Sequence, residues 1–261
     1  MDIEGRTALV TGAAAGIGAA LARALADAGA RRVVCADRDE GGAARIAASI
    51  GGVGLGADMG RDGDIARMID MAEDQAGPID LYCGNAGIIR RGGIEVPDAD
   101  WQTIWDVNVM AHIRATRILL PQMIARGGGH VMITASAAGL LSQVGAAPYA
   151  VTKHAAVGFA EWLALTHGDD GIGVTLLCPQ AVRTAMTEGR EAGVASIDGM
   201  MEADAVAAVA LEALREGRFL ALPHPEVATY MRRKTDDYDR WIGGMQRLNR
   251  HYTARPETPG T

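Results

Sequence analysis

Cysteine, aromatic residues and positive charge are all scarce in this chain of 261 residues. Its three cysteines, Cys35, Cys83 and Cys178, each end an apolar run, without the spacing of metal ligands or of a disulfide framework. We interpret them as buried thiols and expect no metal site. Aromatic residues make up only 4% of the chain, whereas 34 glycines and abundant alanine favour close packing of helices on a sheet.

Basic residues are outnumbered by acidic ones, 25 against 32, which gives a formal net charge of -7. An acidic chain without a basic run is a poor partner for nucleic acid or for an anionic membrane, so neither partner is expected. The apolar runs are much shorter than the ~20 residues that span a bilayer. Residues 1–6 lack the charged and then apolar order of a signal peptide. These features predict a cytoplasmic protein.

Short β-type runs alternate with longer helical patterns along the chain, and 49% hydrophobic residues suffice for a large core. Such alternation implies right-handed crossovers and a parallel sheet with helices on both faces. We predict a single NAD(P)-binding α/β domain of the Rossmann type over residues 1–261, with a doubly wound sheet of about seven strands. The predicted strands are 7–10, 32–36, 52–57, 79–83, 130–134, 173–178 and 219–222. The predicted helices are 16–29, 61–76, 100–126, 148–167 and 202–216.

Two segments depart from this alternation. Residues 185–201 mix Gly, Ser, Glu and Met without a clear period, which at this position is typical of a mobile substrate lid. Apolar residues then recur every three to four positions, which predicts one amphipathic C-terminal helix over about 225–248. Either that helix only packs on the body of the protein or on another subunit, or its aromatic residues also wall a substrate pocket.

A glycine-rich turn, Thr11-Gly12-Ala13-Ala14-Ala15-Gly16-Ile17-Gly18, follows the first predicted strand and opens the first helix. Backbone N–H groups at a helix N-terminus carry positive partial charge and can bind a pyrophosphate. Gly12 permits the turn, Gly16 permits close approach of a ligand, and Gly18 lets the helix pack on the strand. With these flanks, the motif predicts a dinucleotide site that includes Ile17.

Asp37 follows the second predicted strand, where a carboxylate can accept hydrogen bonds from both hydroxyls of an adenosine ribose. It would repel the 2′-phosphate of NADP, and the glycine turn holds no lysine or arginine to offset that repulsion. NAD is therefore the expected cofactor. Arg38 keeps NADP open as the alternative, because a guanidinium that turns inward can bind a phosphate.

Two further strand ends belong to the predicted nucleotide site. Asp58 is placed to accept from an adenine amino group, with Met59 beside the ring; alternatively, Asp58 caps the helix that starts near Arg61. Asn85-Ala86-Gly87 closes the fourth strand, and such small residues let a cofactor lie against the backbone.

Tyr149-Ala150-Val151-Thr152-Lys153 lies in the middle of the chain, with Ser136 thirteen positions before the tyrosine. Together with the glycine turn, this set resembles the short-chain dehydrogenase/reductase family. The matching features are Thr11-Gly12-x-x-x-Gly16-Ile17-Gly18, Asp58, Asn85-Ala86-Gly87, Asn108, Ser136, Tyr149-x-x-x-Lys153 and Pro179-x-x-Val182-x-Thr184. The resemblance implies a Rossmann-type fold, a nicotinamide cofactor, oxidation of an alcohol or reduction of a ketone, and a homo-oligomer, a tetramer or a dimer.

The resemblance also implies a role for each catalytic residue. Tyr149 is the general base, although a free phenol has a pKa near ~10. Lys153, one turn further on the same helix face, would lower that pKa together with the oxidised nicotinamide, and would hold the nicotinamide ribose. Ser136 donates to the substrate oxygen. Asn108 belongs to a helix that is distorted in the family, where it holds a water of a proton relay.

The segment from Pro179 to Thr184 meets the nicotinamide carboxamide in the family, through the backbone of Val182 and the hydroxyl of Thr184. The chain departs from the family at Gln180, where glycine is more usual, and at Gly84, where asparagine is frequent. The expected pocket walls are mostly apolar, which favours a hydrophobic or aromatic secondary alcohol or ketone as substrate. They are Ala137, Ala138, Leu140, Ser142, Gln143, the segment 185–200 and Trp241.

Three interpretations stand beside an NAD-dependent oxidoreductase. The first is an NADP-linked ketone reductase, for which Arg38 is the support. The second is a non-catalytic dinucleotide-binding module, although such proteins usually lose the tyrosine or the lysine. The third is dehydratase or epimerase chemistry on nucleotide sugars, which the short stretch after Thr184 opposes.

Overall fold

The computed structural model describes residues 1–189 and 193–253. Its strands are β1 Thr7–Thr11, β2 Arg32–Asp37, β3 Val53–Gly56, β4 Leu81–Gly84, β5 Gly129–Thr134, β6 Ile172–Leu177 and β7 Leu220–Ala221. They form one sheet in the order β3-β2-β1-β4-β5-β6-β7, and all neighbouring strands are parallel. The predicted α/β class and the seven-stranded parallel sheet are therefore confirmed.

All but the last two helices lie between successive strands, and helices cover both faces of the sheet. They are α1 Gly16–Asp27, α2 Glu40–Ser49, α3 Asp62–Ala76, α4 Asp98–Trp105, α5 Ala111–Ala125, α6 Ala138–Leu141, α7 Ala147–His167, α8 Ala203–Glu216, α9 Glu226–Asp236 and α10 Tyr238–Thr253. A π-helical turn, Asp106–Met110, joins α4 to α5, and Val194–Ser196 forms a short 3₁₀ turn. Within residues 1–189 and 193–253, no helix is both long and apolar enough to cross a membrane.

Successive residues of each strand point to opposite faces of the sheet, and both faces are buried. Leu9 belongs to the core beneath α3, α5 and α7, whereas its neighbour Val10 belongs to the core beneath α1, α2 and α8. A parallel sheet covered on both sides gives strands of continuous apolar residues, as in these strands. The three cysteines are buried as free thiols.

Helix α2 was not predicted, because alanine and glycine give it little apolar periodicity. Asp39 caps its N-terminus, where the Oδ1 atom accepts from the backbone N–H of Gly42 at 3.0 Å. Glycine in the facing strand lets the helix approach closely, since a Cβ at Gly54 would lie 2.6 Å from the Cα of Ala44. The glycines that weakened the pattern in the sequence thus permit the packing.

The prediction of one C-terminal helix over 225–248 is wrong, because the chain breaks at Asp237 into α9 and α10. Asp237 has an extended backbone, with φ -154° and ψ 97°. Its Oδ1 atom accepts from the backbone N–H of Arg240 at 2.9 Å, as an N-cap does for a new helix. Helix α10 therefore does not continue the axis of α9.

The crevice of the sheet opens where β1 lies between β2 and β4 and the strand order reverses. Ligands bind at the carboxyl ends of the strands at such a point. Thr11 fastens this edge: its Oγ1 atom donates to the carbonyl of Cys83 at 3.4 Å and accepts from the N–H groups of Asn85 and Ala86 at 3.0 and 3.1 Å. The segments after β1 and β4 are thereby held side by side.

Candidate active site

A cavity of about 1100 Å³ lies along the carboxyl ends of the strands. Of the site residues that the sequence predicts, only Gly18 and Asn108 do not line it. The others do: Gly12, Gly16, Ile17, Asp37, Asp58, Met59, Asn85, Ala86, Gly87, Ser136, Tyr149, Lys153, Pro179, Val182 and Thr184. Residues dispersed over most of the chain thus converge on one elongated site.

The glycine turn has the backbone that its sequence predicts. Gly12 and Gly16 have φ values of +67° and +54°, in the left-handed region that favours glycine. A Cβ at Gly18 would lie 2.0 Å from the carbonyl oxygen of Gly12, so only glycine lets α1 approach β1 this closely. Ala15 at the N-cap of α1 offers no side-chain cap. The first N–H groups of the helix can therefore serve an anion.

Asp37, the last residue of β2, is hydrogen-bonded to the glycine turn that follows β1. Its two carboxylate oxygens accept from the backbone N–H groups of Ala14 and Asp39, both at 3.0 Å. A carboxylate offers about four acceptor sites, so lone pairs remain for ligand hydroxyls. The exposed Arg38 lines the same end of the cavity, which therefore carries both signs of charge.

Asp58 does not cap the helix that follows it. Its Oδ1 atom accepts from the backbone N–H of Gly60 at 2.9 Å, and the N-cap of α3 is Arg61. Asp64 in the first turn of α3 accepts in turn from the backbone N–H of Asp58 at 3.1 Å. The carboxylate of Asp58 thus stays at the cavity wall beside Met59.

Helix α7 places Tyr149 and Lys153 on one face, one turn apart. The Nζ atom of Lys153 donates to the carbonyl of Thr134 at 2.9 Å and lies 5.7 Å from the centroid of the Tyr149 ring. Ser136, just beyond β5, accepts from the N–H of Ala138 at 3.1 Å, which orients its hydroxyl. The phenol, the ammonium and the hydroxyl therefore share one end of the cavity.

Burial changes the titration of this group. It raises the pKa of Tyr149, and the facing hydroxyl of Ser136 opposes that rise. It lowers the pKa of Lys153 to about 8. Without a cofactor the pKa of the phenol is therefore raised, because desolvation outweighs the hydrogen bond with Ser136. The prediction that Lys153 and the oxidised nicotinamide together lower this pKa concerns the complex.

Asn108 is fully buried in the π-helical turn and clamps the chain behind the cavity. Its Oδ1 atom accepts from the N–H of Ile88, and its Nδ2 atom donates to the carbonyl of Ile88, both at 2.9 Å. The Nδ2 atom also donates to Thr152 of α7 at 3.1 Å. The distortion that the resemblance implies at this position is present, and π-turns of this kind are frequent at functional sites.

The segment after β6 closes over the glycine turn. A Cβ at Gly16 would lie 3.0 Å from the Cγ2 atom of Thr184. Gln180, the departure from the family pattern, donates through Nε2 to Asp198 at 3.1 Å, and Asp198 accepts from the hydroxyl of Tyr230 at 2.9 Å. Asp198 therefore ties the predicted lid both to Gln180 and to α9. Residues 190–192 of that lid lie outside the described residues.

Several expected pocket walls lie elsewhere. Trp241 packs with Leu140 and Val227 in a small apolar cluster that also contains Ala137, and neither Ala138 nor Ser142 lines the cavity. The break at Asp237 redirects α10, so that Tyr252 reaches the cavity wall in place of Trp241. Of the expected walls, Gln143 and the residues 185–187, 189 and 193–196 do line the cavity. Walls missed in the sequence include Ile88, Ile89, Gly92, Val144, Gly145 and Tyr252.

The fold and this site define the class: an α/β protein built to bind a dinucleotide beside a Ser, Tyr and Lys set. A family model described as short chain dehydrogenase matches residues 6–195. The 1-deoxy-11-beta-hydroxypentalenate dehydrogenase of Streptomyces exfoliatus is 35% identical over 99% of this chain and 94% of its own length. The D-beta-hydroxybutyrate dehydrogenase of Cupriavidus necator is 32% identical over 84% of this chain and 86% of its own length.

A solved structure agrees with these relatives. The short chain dehydrogenase/reductase from Burkholderia phymatum, in complex with NAD, is 29% identical, with a TM-score of 0.83 over 92% of this chain and 96% of that chain. The chain belongs to the short-chain dehydrogenase family. It is an oxidoreductase of a family that binds a nicotinamide dinucleotide.

Proposed function

We propose that the protein is an NAD-dependent dehydrogenase that interconverts a secondary alcohol and the matching ketone. The observation that carries this proposal is the convergence of Ser136, Tyr149 and Lys153 at one end of a cavity whose other end holds the glycine turn and Asp37. One end can hold the substrate oxygen and the other an adenosine ribose.

Residues of this chain move the proton. Tyr149 takes the hydroxyl proton of the alcohol as general base, and Ser136 donates a hydrogen bond to the same oxygen. Lys153 stabilises the phenolate through its positive charge. NAD, when bound, supplies the acceptor for the hydride that leaves the alcohol carbon. In the direction of reduction, Tyr149 returns its proton to the oxygen.

The residues present fit NAD. The glycine turn with its uncapped helix N-terminus suits a pyrophosphate, and the remaining lone pairs of Asp37 suit ribose hydroxyls. Asp58 and Met59 would hold the adenine, and Asn85, Ala86 and Gly87 would lie along the cofactor. Pro179, Val182 and Thr184 would hold the carboxamide. Asn108 does not line the cavity; it holds Ile88 and Thr152 in place behind it. Arg38 makes NADP the alternative.

Relatives and cavity walls narrow the substrate. Two relatives act, by their names, on a hydroxypentalenate and on a hydroxybutyrate, which supports a substrate with a secondary hydroxyl. Ile88, Ile89 and Val144 give the substrate end an apolar lining, and Arg91 adds a positive charge to it. A hydroxylated substrate with a sizeable apolar part fits this lining best.

The test is absorbance at the reduced-nicotinamide band, with NAD and NADP in parallel, over a panel of aliphatic, aromatic, steroid and hydroxy-acid secondary alcohols. Reduction of NAD by any member supports the proposal. Reduction of NADP alone would assign the chain to the alternative reductases. NADH binding without turnover over the panel and the matching ketones would favour the non-catalytic module.

We also propose that the protein works as a homo-oligomer. Three apolar side chains on one side of α7 are exposed: Val151 at 48%, Trp162 at 54% and Leu165 at 86%. Exposed apolar side chains on one helix face suit an interaction site, and a second copy of the chain can cover them.

A further inference from the structure

His112 is a buried polar side chain for which the proposed mechanism has no use. It lies in α5, one turn after Asn108, and only 1% of its surface is exposed. Among residues 1–189 and 193–253, neither ring nitrogen finds a hydrogen-bond partner. Buried polar groups are almost always paired in native proteins, so this imidazole calls for a functional explanation.

The imidazole occupies space that Gly84 leaves at the end of β4. A Cβ at Gly84 would lie 2.6 Å from the Nδ1 atom of His112 and 3.1 Å from the Cε1 atom of Tyr82. The ring of His112 therefore takes the place of a side chain at position 84. Gly84 and His112 thus fill one space together, and the polar group in that space is the imidazole of His112 on α5.

This pair of residues lies next to the ammonium of Lys153. Gly84 pairs with Ile133 of β5, and the next residue, Thr134, supplies the carbonyl that accepts from Nζ of Lys153 at 2.9 Å. Neighbouring strands are about 4.8 Å apart, and α5 and α7 pack on the same face of the sheet. An ammonium has three donors, of which Thr134 takes one. His112 thus faces the region behind Lys153.

We propose that His112 is a positioning residue for Lys153: its neutral imidazole accepts, through one ordered water, a hydrogen bond from the Lys153 ammonium and so keeps that lysine charged. A buried water characteristically bonds to polar groups that have no other partner. The charge that Lys153 brings to Tyr149 then depends on His112, although His112 touches neither substrate nor cofactor.

The protonation states of the groups around Lys153 agree with His112 as the acceptor of this hydrogen bond. Burial and the positive charge of Lys153 lower the pKa of His112 to about 3, so the ring is neutral and can accept. The titratable groups that face Lys153 besides His112 are Tyr149 and Cys178, and Tyr82 lies beside His112. Burial raises the pKa of Cys178 to about 12 and also raises that of Tyr82, so both stay neutral.

The effect of His112 on catalysis rests on the proposed function. The titration of Lys153 can be measured without any turnover, so the test does not depend on that function. Lys153 and Lys234 are the only lysines in the chain. In protein labelled with carbon-13 at the Cε of lysine, an NMR titration without cofactor therefore follows Lys153 as one of two signals. Lys234, which donates to the carbonyl of Leu140, is the internal control.

The matched variants are His112→Asn and His112→Leu, because asparagine and leucine have nearly the same shape and only asparagine accepts a hydrogen bond. His112→Leu should lower the pKa of Lys153 by about one pH unit or more, as expected for loss of a hydrogen bond to a charged group. His112→Asn should retain most of the original value. The double variant Gly84→Asn, His112→Ala, which moves the polar group to β4, should restore it as well.

Equal titration of Lys153 in the leucine variant and the unmodified protein would overturn the proposal, as would equal shifts in the leucine and asparagine variants. Thermal unfolding checks that each variant folds; His112→Gln and His112→Met provide a second matched pair. In turnover, the leucine variant should move the acidic limb of the pH profile of kcat/KM to higher pH, whereas a purely structural defect would scale the whole profile. Turnover of the unmodified protein tests the proposed function separately.

Discussion

At the residue scale, the site depends on charged and polar groups that the backbone holds in place. Lys153 is held by a carbonyl of β5, Asp37 by one N–H group of the glycine turn and one just after β2, and Asn108 by the loop after β4. Backbone partners of this kind persist when a single side chain changes. Substitutions at the reacting groups should therefore alter chemistry without dismantling the site.

Tyr149→Phe should remove turnover and leave NADH binding nearly intact. The change deletes one oxygen, and general acid–base catalysis contributes about 10²–10⁴-fold to such reactions. We expect kcat to fall by at least 10²-fold, with the dissociation constant of NADH, measured by fluorescence, within about threefold of the original. Near-normal turnover in this variant would show that another group is the base.

Asp37→Ala should weaken NAD binding and narrow its advantage over NADP. Hydrogen bonds to a charged group contribute about 1.5–3 kcal/mol, which corresponds to about 10–150-fold in affinity. The same variant should bind NADP no more weakly than the original protein, because a negative charge near the 2′-phosphate is gone. Arg38→Ala is the companion variant, and calorimetry with both cofactors gives all the constants. An unchanged ratio in Asp37→Ala contradicts the assignment.

At the scale of elements, the lid is held by a small polar network. Asp198 accepts from Gln180 after β6 and from Tyr230 of α9, so one carboxylate joins three segments. The backbone of the lid is joined to the same loop through Met201, whose N–H donates to the carbonyl of Ala181 at 3.0 Å. Movement of the lid thus requires at least two of these links to break.

Asp198→Ala should loosen the lid and speed release of NADH. Two hydrogen bonds to a carboxylate are lost, so hydrogen exchange over 193–201 should accelerate, and the dissociation rate of NADH should rise several-fold. Stopped-flow fluorescence and exchange mass spectrometry measure both. Asp198→Asn keeps an acceptor for Tyr230 and should have the smaller effect. Identical exchange in all three proteins would mean that the network does not restrain the lid.

The elements that could be predicted from sequence are those with a strong local signal. β1, the glycine turn and α7 carry apolar runs and motif residues, and the structure contains them within a few residues of the predicted bounds. Helix α2 was not predicted because its glycine and alanine residues pack on the sheet without a periodic pattern of large apolar side chains. The break before α10 escaped because an aspartate N-cap within a continuous apolar pattern has only a weak signal. The cavity walls after that break were consequently misplaced.

At the scale of the whole molecule, buried histidines tie stability to pH. Burial is the main cause that lowers the pKa of His130 from 6.5 to about 4, and His112 behaves alike. Both rings bind protons in the unfolded chain near pH 6.5 but remain neutral in the folded protein. Stability is therefore complete above pH 6.5 and is lost as the pH falls from there towards 4.

His130 alone should cost roughly 3 kcal/mol of unfolding free energy between pH 6.5 and pH 4. Urea unfolding at a series of pH values measures this slope. His130→Gln should reduce the slope by about one proton, whereas the same change at the exposed His251 serves as the control. A slope that is unaffected by His130→Gln would show that another group governs the loss of stability in acid.

The exposed side of α7 bears on assembly, because α7 also carries Tyr149 and Lys153. A subunit packed against Trp162 and Leu165 would brace the helix that positions both catalytic groups, so assembly and activity should be linked. Trp162→Glu with Leu165→Glu places two charges in the proposed interface, where unpaired buried charge is costly. Sedimentation should then show smaller species, with turnover reduced in parallel. Met71→Glu, on α3, is the matched control at a similarly exposed apolar position, 41% accessible. If the α7 variant and the unmodified protein sediment alike, the subunits associate through another surface or the protein acts as a monomer.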